Sequence, residues 1–315
     1  MKRYLIISLI TLGVLFLLVL AAYKPSHHWA RAHVNYITAV EDHPLNCLSC
    51  HLYTQKKGMI SKLINANYYS PFNMAISGDG KRLYIVAEEG NKMLVVDTEK
   101  RKVVHKIKVG LHPHSVILSR DNTTAWVSNQ WSDNVSVIDL AQMEVTDNLK
   151  TGNGPAGLAL SSDEQFLYVV NSYSSDLSVI DLVTKIERKR LTLGNNPTGI
   201  QASPDGSSLY ITSRRALLAP YGEELICELT VADDRKQRIG ERKAIRSAYL
   251  MENVAFTPVG DLALVPLIRP KNYVPSIQVE RGFMMTHGIG IIEQIPGGRI
   301  IQLLLDEPNA YYADP

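Results

Sequence analysis

Two of the chain's three cysteines stand three residues apart, and a histidine follows the second: Cys47-Leu48-Ser49-Cys50-His51. C-x-x-C-H is the pattern for covalent attachment of a c-type haem. Two thiols at that spacing reach two vinyl groups on one porphyrin edge, and the adjoining imidazole is directed at the iron as proximal ligand. Zinc is the chemical rival. It wants four tetrahedral ligands, usually from two separated pairs, and the sequence holds no second pair. A disulfide between Cys47 and Cys50 stays open as an alternative, whereas a catalytic dithiol would sit at a helix start in a βαβ unit. The expected cofactor is haem c, held by Cys47 and Cys50 with His51 on the iron. Cys227, in "ELICELTV", lies among strand-like apolar residues and reads as a buried free thiol.

A sixth iron ligand has to come from elsewhere or be lacking. His112 and His114 flank Pro113, while the corresponding positions of the repeat described below hold Ser70/Phe72, Gly154/Ala156 and Asn196/Thr198. The two histidines break the repeat's own rule where a loop leads into a strand, so they are candidate distal ligands. A helix histidine (His27, His28, His33 or His43), a methionine or an open position are the alternatives. Trp131, in "SNQWSDN", is a candidate to stack on the porphyrin, with ordinary loop packing as its other reading.

The N-terminus places this chemistry outside the cytoplasm. Met1-Lys2-Arg3-Tyr4 is basic, and Leu5 to Ala22 follows as 18 residues without charge. A spanning helix needs about 17–25 apolar residues, and a signal peptide has a shorter apolar core. Residues 1–23 are therefore a signal anchor or signal peptide, the anchor being favoured. Lys2 and Arg3 stay cytoplasmic in either case, so the remainder is expected in the periplasm or cell envelope, where covalent haem is attached. Residues 24–57 form the haem-bearing segment, with one helix over 26–44 broken at Pro44. A net charge of +2 and the lack of any basic, aromatic-interleaved stripe argue against nucleic acid as a partner.

The elements that must position the site show in a repeat. Pro71, Pro113, Pro155 and Pro197 are each 42 residues apart. The same offset superposes "RLYIVA" (82–87), "TAWVSN" (124–129), "FLYVVN" (166–171) and "SLYITS" (208–213), and also "KMLVVD" (92–97), "NVSVID" (134–139) and "DLSVID" (176–181). Short runs rich in Val, Ile, Leu and Tyr, separated by "GDG", "RDN", "SDE" and "PDG", predict antiparallel strands joined by tight turns. Four strands in about 42 residues make one blade of an all-β propeller, which must stack on its neighbours to bury both faces. Residues 58–315 are read as this propeller, with about six units, an insertion at 214–224 and irregularity after about 253. The segment "GMISKLI" (58–64) resembles the last strand of a unit and could close the ring.

"Y-V-V-N" at 168–171 and the period resemble the YVTN-type β-propellers, over roughly residues 59–265. The resemblance implies a ring, commonly of seven blades. An exported C-x-x-C-H ahead of such repeats is similar to bacterial cell-envelope proteins that couple a YVTN-type propeller to cytochrome c modules. Many of those carry a peroxidase-like di-haem module, which would need a second C-x-x-C-H that these 315 residues lack. The resemblance implies haem binding and electron transfer with an unidentified redox partner protein, and attachment to the membrane through the N-terminal anchor. The alternative function is a non-redox propeller scaffold with an unhaemed C-x-x-C-H. No acid/base pair stands out in the sequence to mark a peroxide-handling enzyme.

Overall fold

The computed structural model describes residues 69–218, 223–270, 285–294 and 298–305. By its contacts the chain divides into two compact units, Met1–Asn67 and Tyr68–Pro315, and every described residue belongs to the second. The signal segment, the helix over 26–44, Cys47, Cys50, His51 and "GMISKLI" therefore lie outside the described residues.

The described residues form five four-stranded antiparallel sheets, each with its strands in chain order. Blade 1 holds β1 (Pro71–Ile76), β2 (Arg82–Ala87), β3 (Lys92–Asp97) and β4 (Lys102–Lys108). Blade 2 holds β5 (Pro113–Leu118), β6 (Thr124–Asn129), β7 (Asn134–Asp139) and β8 (Glu144–Lys150). Blade 3 holds β9 (Pro155–Leu160), β10 (Phe166–Asn171), β11 (Asp176–Asp181) and β12 (Ile186–Thr192). Blade 4 holds β13 (Pro197–Ala202), β14 (Ser208–Ser213), β15 (Ile226–Asp233) and β16 (Arg238–Arg246). Blade 5 holds β17 (Ala255–Phe256), β18 (Leu262–Pro270), β19 (Met285–Glu293) and β20 (Ile300–Leu304). The six units expected from length are thus five among the described residues.

Strand pleating explains how the blades stack, because alternate side chains point to opposite faces. Tyr84, Val86, Met93, Val95 and Ile107 leave one face of blade 1 and meet Val116, Ala125, Val127 and Ile138 of blade 2 in a single core cluster. Trp126, Val135 and Leu149 meet Leu158, Leu167 and Ile180 of blade 3 in the same way. Tyr168, Val170 and Val179 meet Ile200, Leu209 and Ile211 of blade 4. Tyr210, Cys227 and Leu229 meet Ala263, Val265 and Ile292 of blade 5. First strands lie close together: a Cβ on Gly157 of β9 would come within 2.4 Å of the Thr198 carbonyl oxygen on β13. Tyr84, Trp126, Tyr168 and Tyr210 are all buried, as the recurring aromatic position predicts. Cys227 is fully buried, its thiol donates to the Ser213 carbonyl at 3.0 Å, and burial pushes its pKa up to about 12. It is an inert core residue.

In blades 1 to 4 the end where the first strand finishes is closed by one repeated device. Ser77 donates to Asp79 at 2.6 Å, Ser119 to Asp121 at 2.6 Å, Ser161 to Asp163 at 2.6 Å and Ser203 to Asp205 at 2.5 Å. The same hydroxyls accept the backbone N–H of Arg82, Thr124, Phe166 and Ser208, which opens the next strand. These bonds to the carboxylates hold Asp79, Asp121, Asp163 and Asp205 below the usual carboxylate range. We call this the turn end, and the opposite end, where first strands begin, the entrance rim.

Candidate functional site

At the entrance rim the residue before the first strand of blades 1 to 4 takes a left-handed backbone, Ser70 (φ 43°), His112 (53°), Gly154 (67°) and Asn196 (49°), as does Leu250 (51°), five residues ahead of β17. The conformation is shared while the side chains diverge, so each blade can present a different group from the same backbone frame. His112 donates its N–H to Asn91 at 2.8 Å, and its carbonyl accepts from Gln130 at 3.0 Å. Its Nδ1 lies 3.2 Å from Glu88 Oε1, and its ring stacks on Trp131 with centroids 4.2 Å apart and planes 14° apart. Burial raises the pKa of Glu88, opposed by the charge of His112. Trp131 is anchored by donation of its backbone N–H to the Leu111 carbonyl at 3.2 Å and leaves 57% of its surface exposed. One of its ring faces packs on a loop histidine, and the rest of the indole stays open to solvent.

His114 occupies a different environment two residues on. Its ring packs on Phe72 of blade 1, with centroids 4.5 Å apart. Its Nδ1 is buried and has no hydrogen-bond partner. Burial lowers its pKa to about 4, and the charges of His112 and Arg214 add to the effect. The imidazole is therefore neutral at physiological pH, with a lone pair available. A neutral imidazole is the form that binds a metal. The two histidines thus differ: the Nδ1 of His112 faces Glu88, while that of His114 has no hydrogen-bond partner.

Other residues of the rim carried no signal by themselves. Arg214 opens the insertion after β14, donates its N–H to the Asn196 carbonyl at 2.9 Å, and pairs with Glu252 at 2.9 Å. Glu88, Gln130, Ser172 and Arg214 occupy the same repeat position, and three of them reach the following blade. Glu88 reaches His112, the Ser172 hydroxyl donates to the Pro197 carbonyl at 2.5 Å, and Arg214 reaches Glu252. Tyr173, one repeat after Trp131, lies over Gly154, where a Cβ would meet its ring at 2.5 Å. Among the described residues no three His, Cys, Asp or Glu side chains converge as a metal-binding group. The structure brings His112, Trp131, Glu88 and His114 to one rim, and leaves Cys47, Cys50 and His51 outside the described residues.

Comparison with known proteins gives these observations a context. Subunit beta of hydrazine synthase from Kuenenia stuttgartiensis is 33% identical over 78 residues, which is 25% of this chain. The chain spans about a fifth (20%) of that relative's length in the match. The solved structure of Kuenenia stuttgartiensis hydrazine synthase aligns with 78% of this chain and 69% of its own, at 27% identity and a TM-score of 0.71. Virginiamycin B lyase from Staphylococcus aureus shares the fold at 12% identity, over 78% of this chain and 73% of its own, with a TM-score of 0.55. The family model described as "Lactonase, 7-bladed beta-propeller" matches residues 90–249, spanning blades 2 to 4 and half of blade 1, and the chain belongs to that family.

Proposed function

We propose that this chain is an exported c-type cytochrome with a propeller body, which binds haem and transfers electrons in the bacterial cell envelope. It would do so within a multi-subunit redox assembly, as the similarity to a subunit of hydrazine synthase suggests. The observation that carries the reading is Cys47-Leu48-Ser49-Cys50-His51 in a chain with a basic and apolar N-terminus. Cys47 and Cys50 would hold the porphyrin as thioethers and His51 would ligate its iron. Haem c, when bound, supplies a one-electron ferric/ferrous couple. His114 is first among the candidates for the sixth position, since its neutral Nδ1 is buried and unpartnered. Phe72 packs against that imidazole. Trp131, exposed at the rim, is the candidate for stacking on the porphyrin.

Full-length protein matured with the cytochrome c machinery tests the reading by intact mass and visible spectrum. The expected result is an adduct of one haem and a Soret band that persists in denaturant. Cys47→Ser with Cys50→Ser should abolish both, and His114→Ala should change the iron from low to high spin. Bare polypeptide mass would replace this reading with a non-redox scaffold. That alternative draws on the exposed Trp131 and Tyr173, side chains of the kind that dominate protein contacts. A lactone-hydrolysis assay on the same sample addresses the activity in the family's name.

A further inference from the structure

Among the described residues the last strand of each blade is paired on one edge alone, so its side chains show what the blade presents sideways. In blades 2 to 4 each outer strand carries at least one ion pair, although Lys150 of β8 and Lys189 of β12 take no part in them. Asp147 of β8 takes Lys185 at 2.7 Å. Arg188 and Arg190 of β12 take Asp181 at 2.8 Å and Glu187 at 2.7 Å. Lys243 and Arg246 of β16 take Glu241 at 2.9 Å and Glu224 at 3.2 Å, and Arg242 pairs with Glu228.

Blade 1 breaks this pattern. Strand β4 carries Lys102, Lys106 and Lys108, with Arg101 just ahead of it, and it contains no acidic residue. These four cations are exposed, and none has a carboxylate of the described residues within ion-pair reach. Lys92 of β3 stands directly opposite Lys108 in the strand register. Like charges in facing positions are unfavourable. The same pair of positions holds Asn134 and Lys150 in blade 2, and Asp176 and Thr192 in blade 3. Two of the cations share an aromatic ring: Lys106 donates to the Tyr69 hydroxyl at 2.9 Å, and the Lys92 and Lys106 ammonium groups lie 5.5 and 5.0 Å from the ring centroid. Val103 and Val104 are exposed among them, where the β3–β4 register shifts.

We propose that the β4 edge of blade 1 docks on an anionic phospholipid bilayer. Arg101, Lys102, Lys106, Lys108 and Lys92 would meet headgroup phosphates, while Val103 and Val104 enter the interfacial layer. Unpaired cations interleaved with exposed apolar residues are what such a layer accommodates: lysine stems lie along apolar material and their ammonium groups reach the phosphates. Each basic residue held near an anionic surface adds to the attraction, and salt screens it. The basic and apolar N-terminus, read as an anchor, favours a bilayer over an acidic protein as the occupant. The proposal is independent of haem, so either reading can fail alone.

The test is lysine acetylation, followed by mass spectrometry, of full-length protein reconstituted in two kinds of vesicle. One is phosphatidylcholine alone, and the other contains phosphatidylglycerol at about 30%. At low salt, Lys102, Lys106 and Lys108 are expected to react about three- to tenfold more slowly in the anionic vesicles, with recovery at about 0.5 M salt. Lys150, the counterpart of Lys108 on β8, should react equally in both. In K102Q/K106Q/K108Q, with an unchanged circular dichroism spectrum, the lipid-dependent protection of Lys92 should disappear. Equal rates in the two vesicles, or equal protection in both, overturn the proposal. Protection by soluble polyglutamate without protection by anionic vesicles also overturns it, in favour of an acidic protein.

Discussion

The two ends of the propeller are built from the same repeat, yet one repeats its residue types from blade to blade and the other does not. At the turn end the Ser-x-Asp device recurs in four consecutive blades with nearly the same lengths, from 2.5 to 2.6 Å. At the entrance rim the backbone conformation recurs, but the residues at one position run Ser70, His112, Gly154, Asn196 and those at another run Glu89, Trp131, Tyr173, Arg215. The turn end satisfies its serines and aspartates within each turn, and it links neighbouring blades through Gly78–Asn122, Arg120–Glu164 and Ser162–Asp234. The rim directs its polar atoms across to the next blade or leaves them unpartnered, as at His114. A shared backbone with divergent side chains makes the rim the end whose chemistry differs from blade to blade.

The largest break in that comparison uses two tryptophans five residues apart. Trp126 is 6% exposed and lies in the core between blades 2 and 3, whereas Trp131 is 57% exposed at the rim. Truncating a buried aromatic leaves a cavity, so Trp126→Ala is expected to cost about 3–5 kcal/mol in a denaturant melt. Trp131→Ala should stay within about 1 kcal/mol, since it removes one stacked contact with His112. A rim substitution as costly as the core one would mean that the rim is structural.

The difference in size also explains what could be read without coordinates. Strands β2, β6, β10 and β14 begin and end where the 42-residue alignment places them, because every blade must bury the same alternating face. Blade 5 was legible only as far as "NVAFTPVGDLALVPL", since a long connection separates β18 from β19 and removes the spacing that identifies a unit. The histidines at the rim stood out because they break the repeat. Glu88, Arg214 and Glu252 did not, because each acts through a neighbour on another blade. Their pairing depends on ring geometry, which no local pattern encodes.

Acid sharpens the comparison at intermediate size. The folded pKa of His114 is about 4, against 6.5 for an unburied histidine. A depressed histidine pKa means that the unfolded chain binds the proton more readily. Stability is therefore undiminished above the unfolded value and falls as pH drops from about 6.5 towards 4, by about 2 kcal/mol at pH 5. His114→Phe should flatten this slope in thermal melts of unhaemed protein. The Asp79 and Asp121 carboxylates at the turn end are depressed too, so they lose stability only at lower pH, below the usual carboxylate pKa. A two-step acid profile, with only the upper step removed by His114→Phe, separates the rim from the turns.

The smallest effect is the most specific. Arg214 and Glu252 are each about half exposed, at 48% and 47%, so their ion pair should contribute less than about 1 kcal/mol. Arg214 nevertheless holds down the pKa of His114. Arg214→Ala should leave the melting temperature almost unchanged while moving the His114 titration, followed by NMR, upward from about 4. Glu252→Ala should move it downward, because the guanidinium loses its counter-charge. Opposite shifts from two substitutions of equal and small cost would show that blade 4 acts electrostatically on blade 2 across the rim. Shifts of the same sign would mean that both changes merely loosen the packing around the imidazole, and the rim would then be a set of separate loops.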